Sequence, residues 1–299
     1  MKKTISIIIS ACLIAGLDAG AQALSSMLVP SDPESAAMGG TSVARCANAF
    51  VLDNNAAAIS LSEKTFAIGV SYGHWAPETS SYNNIGLGAF VRVGDRVGIG
   101  ISGKYITDRP MDITTESGAV TGRFTPHDLT GSAAVSVQIV NGVSVALTAR
   151  IAGSSIGEGL SGTAFCADLS AAWHGKSFRA GAALCNAGSR ISYGGDSYAL
   201  PMSVKAGAAW KSSFGLEADI EADYLFSGAF MAGAGLEYSI FDIGFVRAGY
   251  HYGDRTEGLA SFVSAGVGVR FKGFNLDFTF ITASPTLNNT LLCGLGYSF

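Results

Sequence analysis

Charge is scarce in this chain. Only 14% of its 299 residues are Asp, Glu, Lys or Arg, against roughly 25% in a typical soluble domain. The 19 basic residues are outnumbered by 23 acidic ones, which leaves no cationic footprint for nucleic acid. Proline is sparse too, at 7 residues, and the 39 glycines follow no Gly-X-Y period, so a collagen-like fibre is excluded. Apolar residues make up 48% of the chain, and such a composition at low net charge excludes intrinsic disorder. Past residue 23 no apolar run reaches the 18 or more residues of a spanning helix.

Signatures of chemistry are also missing. His74, His127, His174 and His251 fall on separate segments without metal-ligand spacing. No G-x-S-x-G elbow occurs. Gly98 to Gly103 fits G-x-G-x-x-G, but it lies within an alternating strand rather than at a strand-to-helix turn, so its glycines read as small inward residues. The chain is therefore expected to be no enzyme and to carry no metal or cofactor.

What is present begins with an export leader. Lys2 and Lys3 precede the apolar stretch Ile5 to Leu17, and Ala21-Gln22-Ala23 forms an A-x-A cleavage site. Residues 1–23 are expected to be removed, so that the mature chain starts at Leu24. A rival lipobox, Ile9-Ser10-Ala11-Cys12, leaves too short an apolar region. An exported, apolar chain without spanning helices has two options, a water-soluble β protein or a barrel in the outer membrane, because lipid tolerates only helices and closed barrels.

From residue 64 onward the hydrophobic period is two. Phe274, Leu276, Phe278 and Phe280 alternate with Asn275, Asp277 and Thr279, and Leu216, Ala218, Ile220, Ala222 and Tyr224 alternate with Glu217, Asp219, Glu221 and Asp223. Such alternation means a strand with two different faces. About fourteen segments of this kind occur, near 64–75, 83–93, 96–107, 128–140, 143–154, 163–174, 177–189, 201–212, 215–226, 230–241, 243–253, 259–271, 274–283 and 289–299. Each matches the length a tilted strand needs to cross a bilayer, and an even number is expected of a single-chain bacterial barrel. Short turns at 94–95, 141–142, 175–176, 212–213, near 242 and at 272–273 alternate with longer links around 76–82, 108–127, 155–162, 190–200, 254–258 and 284–288; only 227–229 is a modest exception. That sorting belongs to an outer-membrane barrel with periplasmic turns and external loops. The expected fold is thus an all-β, transmembrane antiparallel β-barrel over 64–299.

The apolar set should face lipid. The inward set should hold Lys104, Arg150, Asp168, Arg179, Lys205, Glu217, Asp219, Glu221, Asp223, Glu237, Arg247, His251, Arg270 and Asp277. Four acids on one strand face repel at about 7 Å spacing unless cations stand near. Two readings stay open, a salt-bridge network bracing the lumen and a cation-selective or ligand-binding strip. The C-terminus presents Leu291, Cys293, Leu295, Tyr297 and Phe299 on one face; Leu295, Tyr297 and the terminal Phe299 resemble the signal read by the barrel-assembly machinery.

Residues 24–63 do not alternate. They are small and glycine-rich around Met38, Gly39 and Gly40, and Asp53 to Ser60 reads as a capped short helix or turn. Small residues permit close packing, so this stretch is expected to form a plug inside the barrel, the other reading being a flexible periplasmic arm. Among the cysteines, counting from a two-residue turn at Gly175-Lys176 places Cys166 opposite Cys185, as a hydrogen-bonded pair with Cα atoms about 5.5 Å apart. That separation permits a disulfide, with free thiols the competing state. Cys46 remains, and Cys293 is expected to face lipid.

Ser35-Ala36-Ala37-Met38-Gly39-Gly40-Thr41-Ser42-Val43-Ala44, the stretch Ala49 to Ser60, Thr125-Pro126-His127-Asp128-Leu129, and Ser154 to Gly159 followed by Gly162 to Asp168 together resemble the PorV/PorQ family, within the FadL-type superfamily of outer-membrane barrels. The resemblance covers most of the chain after the leader. It implies that Met38, Gly39, Gly40, Asn55, Ala56 and Ala57 belong to a hatch. The family's Asn-Pro-Ala is Asn55-Ala56-Ala57 here, which removes a backbone constraint. It further implies an outer-membrane component associated with type IX secretion, in contact with outer-membrane lipid, the barrel-assembly machinery and secreted cargo or secretion proteins through loops near 108–127 and 190–200. The alternatives are FadL-like uptake of a hydrophobic small molecule, which calls for an apolar pocket between hatch and wall, and a small general porin.

Overall fold

The computed structural model describes residues 22–253 and 258–299. The leader up to and including Ala21, and all but Gly258 of the link expected at 254–258, lie outside the described residues. The strands are β1 (Phe66–Trp75), β2 (Tyr82–Val93), β3 (Val97–Thr107), β4 (Met111–Thr114), β5 (Val120–Phe124), β6 (His127–Val140), β7 (Val143–Gly157), β8 (Leu160–His174) and β9 (Phe178–Gly188). They continue with β10 (Ile191–Tyr193), β11 (Asp196–Tyr198), β12 (Ser203–Lys211), β13 (Leu216–Leu225), β14 (Phe230–Ile240), β15 (Gly244–Tyr252), β16 (Phe262–Phe271), β17 (Phe274–Thr282) and β18 (Thr290–Ser298).

Fourteen of these form one closed antiparallel barrel, and β4–β5 and β10–β11 are separate two-stranded hairpins in the long links. The barrel expected from the alternation is therefore the fold that forms. Its seam is β1 against β18, with Ala67 opposite Ser298 and His74 opposite Leu291. Phe299 finishes the seam: its N–H donates to the Phe66 carbonyl, and its own carbonyl accepts from Thr65 and Phe66. Closure leaves no edge strand, which is the condition for a sheet to sit in hydrocarbon.

The two faces separate as the period of two requires. On β1, Ile68, Val70 and Tyr72 point outward and are exposed, while Ser71 is buried. On β13, Ile220 and Tyr224 are exposed while Glu217, Asp219, Glu221 and Asp223 are buried. Exposed aromatics gather at the short-turn end, among them Phe214, Phe241, Phe271, Phe274 and Phe299, the position of an interfacial aromatic girdle. Leu295 also faces outward, and Tyr297 packs on Phe274 and Phe299 with ring centroids 4.9 and 6.1 Å away.

Two expectations need correction. The link drawn at 155–162 is not a loop: β7 and β8 stay paired to Gly157 and Leu160 and turn at Glu158-Gly159, where Gly159 has φ +71°. The pairing of Ser155 with Ser161, whose hydroxyls are 2.8 Å apart, carries the ladder through the segment. Cys166 and Cys185 are not opposite one another. The turn between β8 and β9 spans Gly175–Phe178, with the Gly175 N–H donating to the Phe178 carbonyl at 2.8 Å, so the register starts from His174 opposite Arg179. It then slips between Ala167 and Leu169. There Asn186 adopts φ +57°, and its N–H donates to Asp168 Oδ1 at 2.6 Å. Cys166 ends opposite Gly188, and Cys185 opposite Ser203 of β12. Both thiols are free. Denaturing the protein without reductant should therefore let a maleimide label both Cys166 and Cys185, as read by intact mass; an oxidised pair that resists labelling would contradict this register.

Candidate functional site

The candidate site is the interface between the N-terminal segment and the inward wall. The segment enters at the long-link end. Leu24 is buried there in a cluster with Ala152, Ala164, Ile191, Tyr193 and Leu200. A short helix α1 (Pro33–Ala37) follows. It starts where proline fits the first helical position and where Asp32 caps it by accepting from the Glu34 N–H at 3.0 Å. The other oxygen of Asp32 accepts from Asn48 and Asn54 at 2.9 and 2.7 Å, folding the segment on itself. A second helix α2 (Val51–Asn54) and a 3₁₀ turn over Ala56–Leu61 lead to the short-turn end, where Ile59 and Ser60 sit against Gly98 of β3.

Wall residues meet this backbone at close range. Met38 is fully buried. Gly39 has φ +72°, and a Cβ there would fall 2.7 Å from the Ala234 carbonyl, so only glycine fits. Ser264 Oγ donates to the Ala37 carbonyl at 3.0 Å and accepts from the Gly39 N–H at 3.1 Å. Thr279 donates to the Pro33 carbonyl, and Ser136 and Ser144 to that of Ala57. The inward serines and threonines thus satisfy a buried backbone that lacks regular structure. Asn55 is held by three hydrogen bonds. Its amide donates to the Val43 and Ala171 carbonyls at 2.7 and 3.0 Å, and its oxygen accepts from the Ala57 N–H at 3.1 Å.

The ionic contacts are denser still. Arg45 reaches Asp219 at 2.6 Å and Glu237 at 3.1 Å. Arg247 reaches Glu237 and Asp277, each at 2.6 Å, and Glu34 lies 3.8 Å from it. Arg270, the most exposed of these cations, holds Glu34 at 2.9 Å. Arg179 pairs with Glu217 and donates to the Ala44 carbonyl at 3.1 Å. Glu221 accepts from the successive N–H groups of Ser42 and Val43 at 2.6 and 2.7 Å. Further toward the long links, Arg150 pairs with Asp168 at 2.6 Å and Asp53 at 3.5 Å, Lys205 lies 3.6 Å from Asp223, and Lys104 donates to the Val29 carbonyl at 2.7 Å. His251 Nδ1 is 3.2 Å from the Gly39 carbonyl.

The residues expected to line the lumen thus face it, but the neutralisation of the β13 acids differs from the expectation. Wall cations alone do not supply it: Arg45 and the backbone of Ser42–Val43, both from the N-terminal segment, complete it. Sequence reasoning missed Glu34, Arg45 and Asp53. Their signal was a buried-type stretch of small residues interrupted by isolated charges. Burial would push the Glu34 carboxyl up, but the guanidiniums of Arg270, Arg247 and Arg45 outweigh it and hold it well below the usual carboxylate range. Burial likewise opposes ionisation of Asp53, and Lys104 and Arg150 reverse it, so that its pKa is lowered. Asp32 is raised, by burial and by neighbouring Glu34.

A closed barrel with an apolar outer face and a lumen packed by its own N-terminal segment is the architecture of an outer-membrane β-barrel. The Ralstonia pickettii toluene transporter TbuX is similar over 91% of this chain and 98% of its own, with a TM-score of 0.68 at 12% identity. The Pseudomonas putida toluene transporter TodX is similar over 88% and 96%, with a TM-score of 0.65 at 14% identity. A Pseudomonas aeruginosa FadL homologue is similar over 92% and 93%, with a TM-score of 0.53 at 13% identity. No curated protein matches the chain. Within this class the chain belongs to the PorV family: residues 18–224 match the family model described as type IX secretion system protein PorV.

Replacing Arg45 by Ala leaves Asp219 and Glu237 short of a buried partner, a loss of about 3–5 kcal/mol. Hydrogen exchange over residues 33–61 should speed up by a factor of a hundred or more at the matching opening step (~3 kcal/mol), while the barrel keeps its heat-modifiable band in SDS gels. Acidity should act weakly on the same contacts. A carboxyl whose folded pKa is depressed stabilises above its unfolded value, about 4.3 for Glu, and loses that stabilisation only as pH falls through the lower folded value. Glu34 therefore keeps the segment docked from pH 7.5 to 5, and because the raised Asp32 carboxyl adds stability only as pH falls, exchange protection of α1 should not decrease on acidification across that window after correction for intrinsic rates.

Proposed function

We propose that this protein is an outer-membrane component associated with type IX secretion, exported by its leader and acting through contacts with other secretion proteins or cargo rather than as a conduit for small molecules. The observation that carries the reading is the family match, joined to a lumen filled and ionically locked by residues 24–63 acting as a hatch. FadL-like uptake of a hydrophobic molecule, the second reading, draws on the fold likeness to the toluene transporters. It requires an apolar pocket between hatch and wall. The space found there is mixed: Met27, Leu28, Met231 and Phe262 share one part with Lys104, Lys205, Glu221 and Asp223, and Arg150 and Asp168 line another; charges inside such a space solvate a hydrocarbon poorly. A general porin requires an open lumen, which the docked hatch opposes.

Of the two loops expected to meet partners, that at 190–200 folds inward: Ile191 and Tyr193 of β10 are buried against Leu24 and Ala152. The β4–β5 hairpin projects, with Met111 and Val120 exposed. It is the more available contact surface. Affinity purification of the tagged protein from detergent-extracted outer membrane should recover secretion components. Removing residues 110–124 should lower that recovery at least tenfold without loss of barrel folding. Capture of no partner, together with hydrocarbon uptake by reconstituted protein, would favour the second reading. N-terminal sequencing of the purified protein should begin at Leu24.

A further inference from the structure

Tryptophan is unevenly placed on this barrel. Of the chain's three, Trp75 is 2% exposed, while Trp173 and Trp210 stand out from the lipid-facing wall at 45% and 37%. Both lie at the short-turn ends of strands that flank β9, one residue before the end of β8 and of β12. Phe178, the first residue of β9, is directly opposite Trp210 and also faces outward. The turns beyond these rings carry Lys176 and Lys211, both exposed. The Lys211 N–H donates to the Ser177 carbonyl at 2.8 Å, which fixes the two turns side by side. No Asp or Glu occurs in residues 174–178 or 209–216, and Glu217, which follows, is buried and paired with Arg179. The other cations of this rim differ. Lys64 follows Glu63 and Arg96 follows Asp95, and the turn of Lys272 bonds to Ser298, next to the terminal carboxylate. Lys176 and Lys211 are the pair of neighbouring cations without an adjacent acid.

The wall above them is low. Ala180 and Ala208 are opposite one another between Trp173 and Ile220, and in the next row Ala171, Ala182 and Ala206 are opposite one another. The depression over β9 and β12 is roughly 10 Å across at the usual strand spacing. We propose that this outer face of β8, β9 and β12 binds one phospholipid with an anionic headgroup from the periplasmic leaflet, its phosphate held by Lys176 and Lys211 and an acyl chain lying over the alanines. Charge complementarity selects the headgroup: a zwitterionic one brings its own cation toward two ammoniums, and an anionic one does not. Position selects lipid over an acidic protein. Exposed aromatic rings mark the interface of a membrane barrel, so lysines in the turns beside Trp173, Phe178 and Trp210 stand in the headgroup layer, where a lipid phosphate is the nearest anion. The site lies outside the lumen and needs no secretion partner, so it stands apart from the proposed function.

The exposed tryptophans report on their own lipid neighbours, while inward Trp75 supplies an unquenched background. The full chain is reconstituted in phosphatidylcholine vesicles containing brominated-chain phosphatidylglycerol or, at equal mole fraction, brominated-chain phosphatidylcholine. Phosphatidylglycerol should quench the more strongly, with a preference of roughly fivefold for each lysine and about thirtyfold for both. Lys176→Gln with Lys211→Gln should bring that preference close to unity, and Lys176→Arg with Lys211→Arg should retain it. Lys64→Gln with Lys272→Gln, on the far side of the barrel, should leave it unchanged. All variants are judged on protein that keeps its heat-modifiable band. Equal quenching by the two lipids would overturn the proposal and leave an acidic protein surface as the partner of these lysines. An equal loss of preference in the Lys64–Lys272 variant would overturn it in favour of diffuse rim charge.

Discussion

The bilayer's inability to hydrogen-bond the backbone is the constraint on which the rest depends. It forces the sheet to close, and closure creates an interior whose width is set by strand number. Fourteen strands enclose more space than their own inward side chains fill, since much of the inward face is glycine, serine and threonine. The N-terminal segment occupies that space. Because a folded segment inside a sheet has few regular backbone partners, the wall must supply hydroxyls and carboxylates, and the buried charges in turn demand counter-charges on the segment. Glu34, Arg45 and Asp53 follow from the closed wall as much as from their own local sequence.

This view also separates the chain from the transporters it resembles in fold. Similarity at 12–14% identity reports the barrel and its internal segment. The character of the remaining space is set by individual side chains, and here charged groups such as Lys205, Asp223 and Arg150 share it with Met27, Leu28, Met231 and Phe262. The functional reading therefore rests on the family match and on those side chains rather than on shape.

Much of the wall was legible beforehand, because a period of two is a strong signal when each strand must face lipid on one side. Glu217 to Asp223 declare an inward face by alternation alone. Bulges were not legible. Nothing around Ala167 to Leu169 marks the slip that Asn186 introduces, and one such slip was enough to separate Cys166 from Cys185. Nor could alternation reveal what neutralises the acids, since Arg45 lies far away in sequence, in a segment with no periodicity. Glycine at 39 was visible as a motif residue, but its reason, the Ala234 carbonyl pressed against it, is tertiary.

The path of the N-terminal segment bears on biogenesis. Leu24 lies among long-link residues at one mouth, and Ile59 lies beside the turn at the other, just before β1 begins. The polypeptide therefore runs the length of the interior before it enters the cylinder wall at β1. If the rim zipped shut first, a free end would have to thread past a column of naked carboxylates. Laying the segment on the still-open sheet, with Phe299 sealing last against Phe66, avoids that passage and makes lining and cylinder a single cooperative assembly.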